Sequence, residues 1–290
     1  VKMIPDVGME KYYTGERDKY YYRKIKYQFY GKHYHKKVLS ERIFVHQDSL
    51  YSKLQSFSTQ RQLANLDIFK FVNINYDTTD GKFIANIFAS PLENYSWSNE
   101  AGVSVTQGFP GPYYSVSFKR RNLLRGLEIL ELNGRFGFEG VASATQQNDF
   151  YKSTEANLNG SITFPRFLLP LTGDQSIRLA RFNPKSKLLT GYTYTARPEY
   201  QRSIITASST LTWESPKGLQ YSFTGTNLSI IRSDTSAQFG ARLRELELAG
   251  NKLINAFKPS FVSNMSFSVT WNQRSEEHTS ELQSHSFISY

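Results

Sequence analysis

The chain predicts an α+β domain followed by an incomplete antiparallel transmembrane β-barrel. Three observations carry this. Helical spacing of apolar residues is concentrated before Pro91, and beyond it apolar and small polar residues alternate in long runs. Aromatic residues make up 15% of the chain, yet mean hydropathy is only −0.49. Aromatics diluted by Ser, Thr, Asn and Gln suit a sheet with one greasy and one wet face.

The first unit is read element by element. YYRKIKYQFYG (21–31) is expected to be one strand, with Arg23, Ile25, Tyr27 and Phe29 alternating with Tyr22, Lys24, Lys26 and Gln28. HKKVLSERIF carries helical spacing in Val38, Leu39, Ile43 and Phe44. Ser49 is placed to cap a second helix, LYSKLQSFSTQRQLANL, with Leu50, Leu54, Phe57, Leu63 and Leu66 along one side. Two strands follow, FKFVNINYD (69–77) and KFIANIFAS (82–90), joined through Asp80-Gly81, a strong hairpin signal. The order β-α-α-β-β over 21–91 packs helices on one face of a short sheet. Residues 1–20 are expected to be the end of a preceding repeat or a linker.

From 92 to 273 the period is two. WSNEAGVSVT (97–106) sets Trp97, Ala101, Val103 and Val105 against Ser98, Glu100, Ser104 and Thr106. In 112–119, Tyr114, Val116 and Phe118 share a face. Leu130, Leu132, Phe136 and Phe138 oppose Glu131, Asn133, Arg135 and Glu139, and a similar run spans STEANLNGSITF. Weaker strands lie near 186–198, 201–214 and 217–231, and 261–273 closes a set of about eight. A soluble sandwich and a membrane barrel both produce such alternation. The charged residues on the polar side favour the barrel. So do aromatics near strand ends (Trp97, Tyr113, Trp213, Trp271). Unequal connections, short at TQGFPGP and RNLLRG but long at 232–260, fit short turns on one side and long loops on the other. A helix-like stretch within 241–257 is read as loop packing.

Bulk charge is +10, concentrated in the Tyr-interleaved segment KYYTGERDKYYYRKIKYQFYGKHYHKKVLSER. No nucleic-acid-binding module frames it, so it is read as a solvated face or one near anionic head groups, and no nucleic-acid partner is expected. There is no nucleophile elbow, phosphate loop, dinucleotide fingerprint or H-E-x-x-H. Cysteine is absent, and His33 and His35 flank Tyr34 as on a wet strand face. Neither catalysis, cofactor nor metal is expected.

The ordered pieces STQRQLANLDIFKFVNI, GPYYSVSFKRRNLLRGLEILEL, TFPRFLLPL and RPEYQRSIITASSTLTW resemble the BamA/TamA family. There a polypeptide-transport-associated (POTRA) domain leads into an outer-membrane assembly barrel; the likeness is strongest to TamL-type members of Bacteroidetes. It covers roughly residues 21–273. The resemblance implies a bacterial outer-membrane location with the POTRA-like domain in the periplasm. It also implies unfolded outer-membrane or secreted client proteins, surrounding lipid, and an inner-membrane or periplasmic assembly partner. Asn122 to Glu128 (NLLRGLE) resembles the family's turn between early strands, with Arg125-Gly126 at the reversal; this is not the family's lid-loop Arg-Gly motif. The family has further upstream repeats and a closed barrel, so 92–273 is expected to be its N-terminal half. Arg274 to Ser284 matches the translation of a common short-read sequencing adapter, so 274–290 is expected to be a non-native tail.

Edge pairing follows as the expected chemistry, because a client strand must satisfy its backbone groups before entering lipid. One edge is FKFVNINYD, represented by Phe71, Asn73 and Asn75. The other is the first barrel strand, represented by Glu100, Gly102 and Ser104, where Gly102 would weaken and bend a seam. Simple barrel curvature explains Gly102 equally well. The alternatives are a passive channel or receptor barrel with a periplasmic appendage, and a soluble β-sandwich adhesin.

Overall fold

The structure, a computed structural model, describes residues 1–271 apart from 14, 31–33, 80–81, 107–108, 143–149, 171 and 216–217. The Asp80-Gly81 turn, His33 and the tail 274–290 lie outside the described residues. Two sheets make the fold. The first unit contains β1 (Lys2–Ile4), β2 (Asp18–Tyr22), β3 (Ile25–Phe29), α1 (Lys36–Glu41), α2 (Lys53–Ala64), β4 (Phe69–Thr79) and β5 (Lys82–Pro91). Its five strands run in the order β2-β3-β1-β5-β4.

Two readings of this unit's strands need correction. The stretch 21–31 is not one strand: it reverses at Arg23-Lys24, so β2 and β3 form an antiparallel hairpin with Tyr22 opposite Ile25. Both turn residues have positive φ, 49° and 60°, as a two-residue turn matching the strand twist requires. Residues 1–20 are no mere linker, because β1 pairs parallel with both β3 and β5 at the centre of the sheet. Asp6 ties the following loop down, accepting from the Tyr30 N–H at 2.7 Å and the Arg17 Nε at 3.0 Å.

The core collects Met3, Tyr27, Phe29, Leu39, Leu63 and Ile87, all essentially inaccessible. Val38, Leu39 and Ile43 of the α1 region are buried as their spacing predicts. For α2 the expected stripe holds only at its end. Ser52, not Ser49, is the cap, its hydroxyl accepting from the Gln55 N–H. Leu50, Leu54 and Phe57 face solvent, and the buried helix residues are Thr59, Gln62 and Leu63. The polar pair can be buried because each has work inside: Thr59 accepts the Phe44 N–H at 2.9 Å, and Gln62 accepts from Arg42 at 2.8 Å.

The second sheet holds β6 (Tyr95–Thr106), β7 (Phe109–Arg121), β8 (Ile129–Ala142), β9 (Phe150–Phe164), β10 (Lys185–Ala196), β11 (Tyr200–Glu214), β12 (Leu219–Thr235) and β13 (Ser260–Trp271). These eight strands are antiparallel and ordered as in the sequence. Helix α3 (Gly173–Ala180) joins β9 to β10, while α4 (Ala237–Leu248) and a 3-10 turn (Leu253–Phe257) join β12 to β13. Register aligns mostly like with like, Asn99 and Val262 at the two edge strands being exceptions. One lateral row reads Asn99, Val116, Gly134, Leu158, Tyr192, Ile205, Ile230 and Phe261; a row on the opposite face reads Ser98, Ser117, Asn133, Asn159, Gly191, Thr206, Ser229 and Val262.

Among the described residues no second sheet covers the apolar face. Phe136, Phe267 and Trp271 are 46%, 59% and 67% exposed. A sandwich would hide these rings in a dry interior, so the adhesin reading falls. Three of the four expected girdle aromatics stand on the apolar face near the domain end of their strands. Trp97 meets Phe118 at 6.1 Å, and Trp213 stacks on Tyr221 at 5.3 Å. Tyr113 does not join them: β7 presents Tyr114, Val116 and Phe118 outward, so Tyr113 falls on the polar face. Connection lengths also fail to sort by side. The turn 122–128 and the long segment 165–184 both lie at the domain end, while 236–259 lies at the far end.

The Arg23-Lys24 turn gives a direct test. A left-handed conformation costs a non-glycine residue about 1–2 kcal/mol, and the exposed Lys24–Asp48 pair at 3.5 Å offsets little of that. Lys24→Gly is therefore expected to slow amide hydrogen exchange across 18–29, with a gain of about 1 kcal/mol.

Candidate functional site

The candidate site is the junction where the two sheets meet and where a free strand edge of each begins. On the domain side it is built by α1, the end of α2 and the start of β4. On the barrel side the turn 122–128, the segment 165–184 and the ends of β7 and β10 contribute.

The turn NLLRGLE is folded around one carboxylate. Glu128 is only 6% exposed, and its Oε2 accepts the N–H groups of Leu124 (3.1 Å) and Gly126 (3.0 Å). Asn122 Oδ1 accepts the Leu127 N–H at 3.1 Å. Such charge-assisted bonds are stronger than neutral ones, and they hold Asn122, Arg125 and Leu127 at φ of 56°, 66° and 66°. Gly126 is needed for a reason other than the expected tight reversal. Its φ is not positive; instead a Cβ there would lie 2.2 Å from Glu128 Oε1. Arg125 contributes its carbonyl, which accepts the His35 N–H at the start of α1 (2.8 Å). Leu127 and Ile129 then enter the core of the small domain.

Arg42 makes the other half of the junction. Its side chain is fully buried. Nη1 donates to Gln62 Oε1 (2.8 Å), Asn183 Oδ1 (3.1 Å) and the Ala180 carbonyl (3.4 Å); Nη2 donates to the carbonyls of Pro165 (2.5 Å) and Pro184 (3.0 Å). Burial pulls the guanidinium down to about 10, so it stays charged at neutral pH, with Glu41 opposing the fall. Burial pushes the Glu41 carboxyl up, and Lys37 leads the cations that resist it. Around Arg42, Gln62 Nε2 donates to the Arg181 carbonyl (3.2 Å) and Lys185 Nζ to the Asn65 carbonyl (3.0 Å). Arg121 Nε donates to the Asp67 carbonyl at 3.0 Å, and Lys119 reaches both Asp67 (3.4 Å) and Glu131 (2.8 Å).

The two expected edges both start here. Strand β4 pairs only with β5 among the described residues, and β6 only with β7. Leu92-Glu93-Asn94 link β5 to β6. The Leu92 N–H donates to the Ile68 carbonyl just before β4 and the Arg121 N–H to the Asn94 carbonyl just before β6, which brings the two near ends together. On β4, Phe71 is 54% exposed and Asn73 donates to Asn75 at 3.0 Å, while Val72 on the other face is buried. Gln60 of α2 already occupies the Val72 carbonyl at 2.8 Å. On β6, Glu100, Gly102 and Ser104 share the polar face. Glu100 accepts from Tyr113 at 2.6 Å, and Ser104 reaches the Gly111 carbonyl at 3.4 Å.

The structure thus brings the start of β4, the start of β6 and the 122–128 turn to one junction, while Asn75 and Ser104 point along strands leading away from it. Sequence reasoning missed Arg42, and it named Glu128 only as the end of a turn and Tyr113 only as an interfacial aromatic. For Arg42 a signal was present, since a charged residue beside Ile43 and three after Leu39 sits on the buried stripe of α1. For α3, the spacing Thr172 to Gln175 was a capping signal, and the Thr172 N–H does donate to Gln175 Oε1 at 3.0 Å.

No family profile matches the chain, and no curated protein matches it. Among solved structures, BamA from Haemophilus ducreyi lacking POTRA domains 1–3 is similar over 90% of this chain and 50% of its own, with a TM-score of 0.51 at 14% identity. The chain spans about half the length of that structure. At this identity the likeness is one of fold. The eight-stranded sheet has the architecture of part of a BamA-like barrel.

Removing Arg42 leaves buried acceptors from both units without a donor, at about 3 kcal/mol or more. Arg42→Ala is expected to expose 165–184 to limited proteolysis. Arg42→Lys rescues it only partly, since an ammonium cannot span the same fork of acceptors. Exposed Arg61→Ala on α2 leaves the digestion pattern unchanged.

Proposed function

We propose that this chain is part of an outer-membrane β-barrel assembly or translocation factor, with its POTRA-like domain in the periplasm and TamL-type proteins as its nearest kind. The observation carrying this is the convergence of two free strand edges, β4 and β6, at one buried junction below a sheet whose apolar face is uncovered. An unfolded client strand has unsatisfied N–H and C=O groups that lipid cannot accept. Edge β4 would satisfy them first in water, through main-chain pairing. Edge β6 would satisfy them next at the bilayer, its near end joined to the first sheet through 92–94, which follow β5. No cofactor is needed, because the free energy comes from hydrogen bonds formed and apolar surface moved into lipid. Clients are β-rich outer-membrane or secreted proteins, and an inner-membrane or periplasmic partner would deliver them.

The polar face fits this role. Glu100, Arg135, Glu139 and Glu155 would line a wet lumen, and Leu158, Tyr192, Ile205 and Ile230 would meet hydrocarbon. The same assignment makes a prediction about insertion. Leu158→Arg, mid-strand on the apolar face, is expected to cost about 2–4 kcal/mol of barrel stability and to reduce recovery in the membrane fraction. Asn159→Arg, one residue along, leaves recovery near the unsubstituted level.

Client pairing is tested with photoreactive residues in the complete protein during assembly of a β-barrel client. Crosslinks from Val103 and Val105, with none from Asn159 in the middle of the polar face, are the expected result. Crosslinks confined to polar-face positions far from β6 would instead mean a passive channel.

A further inference from the structure

Strand β7 keeps β6 along its length but loses its other partner, β8, at one end. From Tyr113 to Arg121 it pairs with β8, but from Phe109 to Pro112 its ladder is with β6 alone, although β8 runs on to Ala142. The sequence FPGPYY explains this. Pro110 and Pro112 have no N–H, and residues two apart in a strand direct their backbone groups to the same neighbour. Pairing with β6 persists at both positions, so the missing donors face β8. Gly111 lets the strands lie close without a ladder: a Cβ there would stand 1.7 Å from the Phe138 carbonyl oxygen.

The opposite holds between β6 and β7. The Tyr113 ring lies across Gly102, where a Cβ would come within 2.8 Å of Tyr113 Oη and 2.9 Å of its ring carbons. The hydroxyl donates to Glu100 at 2.6 Å, and the Arg135 guanidinium covers the ring at 4.3 Å. An aromatic ring laid over a strand glycine pins register and restores the packing that glycine lacks. Tyr113 is paired with Gly102 on one side and Gly137 on the other. Above this level the hairpin is firmly joined to itself and weakly joined to the sheet.

We propose that the far ends of β6 (103–106) and β7 (109–112) form one leaf that turns on β8 about the Tyr113–Gly137 level, with Tyr113 as the positioning residue that keeps β6 in register on β7. The seam then opens between β7 and β8 at the far end, and the client edge moves with its hairpin rather than peeling from it. This rests on β6 being the client-pairing edge, and the test separates the two ideas. In the complete protein in lipid nanodiscs, spin labels at Val105 and Leu158 report the leaf against the sheet. A broad distance distribution with a long-distance population is expected. Pro110→Val with Pro112→Val supplies the two missing donors and is expected to reduce that population about tenfold. A disulfide between Ala101→Cys and Tyr114→Cys, tying β6 to β7, leaves it unchanged.

A single narrow distance in the unsubstituted protein overturns the leaf without need of any variant. So does narrowing by the Ala101–Tyr114 disulfide, which would mean that β6 peels from β7. A further pair, Pro112→Cys with Phe138→Cys, ties the leaf to β8 after folding and is reversed by reductant. Its oxidation is expected to slow client assembly about tenfold, matching the loss of the open population. If distances behave as expected while assembly is untouched, the leaf stands and β6 is not the client edge.

Discussion

A buried guanidinium holds the two halves of this molecule together. Among the described residues Arg42 meets no carboxylate within hydrogen-bond reach; its charge is satisfied by neutral oxygens, three of them backbone carbonyls from the β9–β10 connection. Desolvating a cation costs several kcal/mol, and the site is stable only while all of these acceptors stay in place. Arg42 is thus one anchor of the small domain on the barrel sheet, beside the Arg121–Asp67 and Lys185–Asn65 bonds and the entry of Leu127 and Ile129 into the core. Glu128 does the same for the neighbouring turn with the opposite sign, gathering N–H groups around a buried carboxylate. Together they make the junction from which both free edges depart.

The barrel sheet rests on a different principle. Its strands are held by register, which places apolar side chains in continuous lateral rows on one face and small polar ones in rows on the other. A slip of one residue between neighbouring strands would turn every following apolar and polar side chain to the wrong face, so the alternation specifies pairing as strongly as it specifies faces. The exception is informative: in β7 the ladder to β8 stops where two prolines remove the donors, next to the strand that has no second neighbour. The ladder is therefore shortest beside the edge strand.

Much of the architecture was legible in the residues. The helices of the small domain, its last two strands and all eight barrel strands follow from period and turn chemistry, since these depend on neighbours in the chain. Where the reading failed, a tertiary contact outweighed a local pattern. Leu50, Leu54 and Phe57 have the spacing of a buried stripe, yet only the later part of α2 is buried, and Thr59 and Gln62 are buried for the bonds they make. Arg23 and Lys24 look like ordinary strand residues, yet the chain reverses through them because β3 must lie beside β1. Tyr113 has the composition of an interfacial aromatic, but strand parity turns it to the wet face, where it covers Gly102.

By itself the sequence determined the long strands after Pro91 and which of their faces is greasy, and it favoured a barrel over a sandwich without deciding between them. Periodicity is a local property, so one chain suffices to read it. Only the tertiary structure decided that β1 sits at the centre of the first sheet, that β4 and β6 begin at the same place, and that Arg42 and Glu128 hold that place together. The physical reason is distance along the chain. The acceptors of Arg42 in the β9–β10 connection lie more than a hundred residues away, and no local pattern records which remote oxygens will compensate a buried charge.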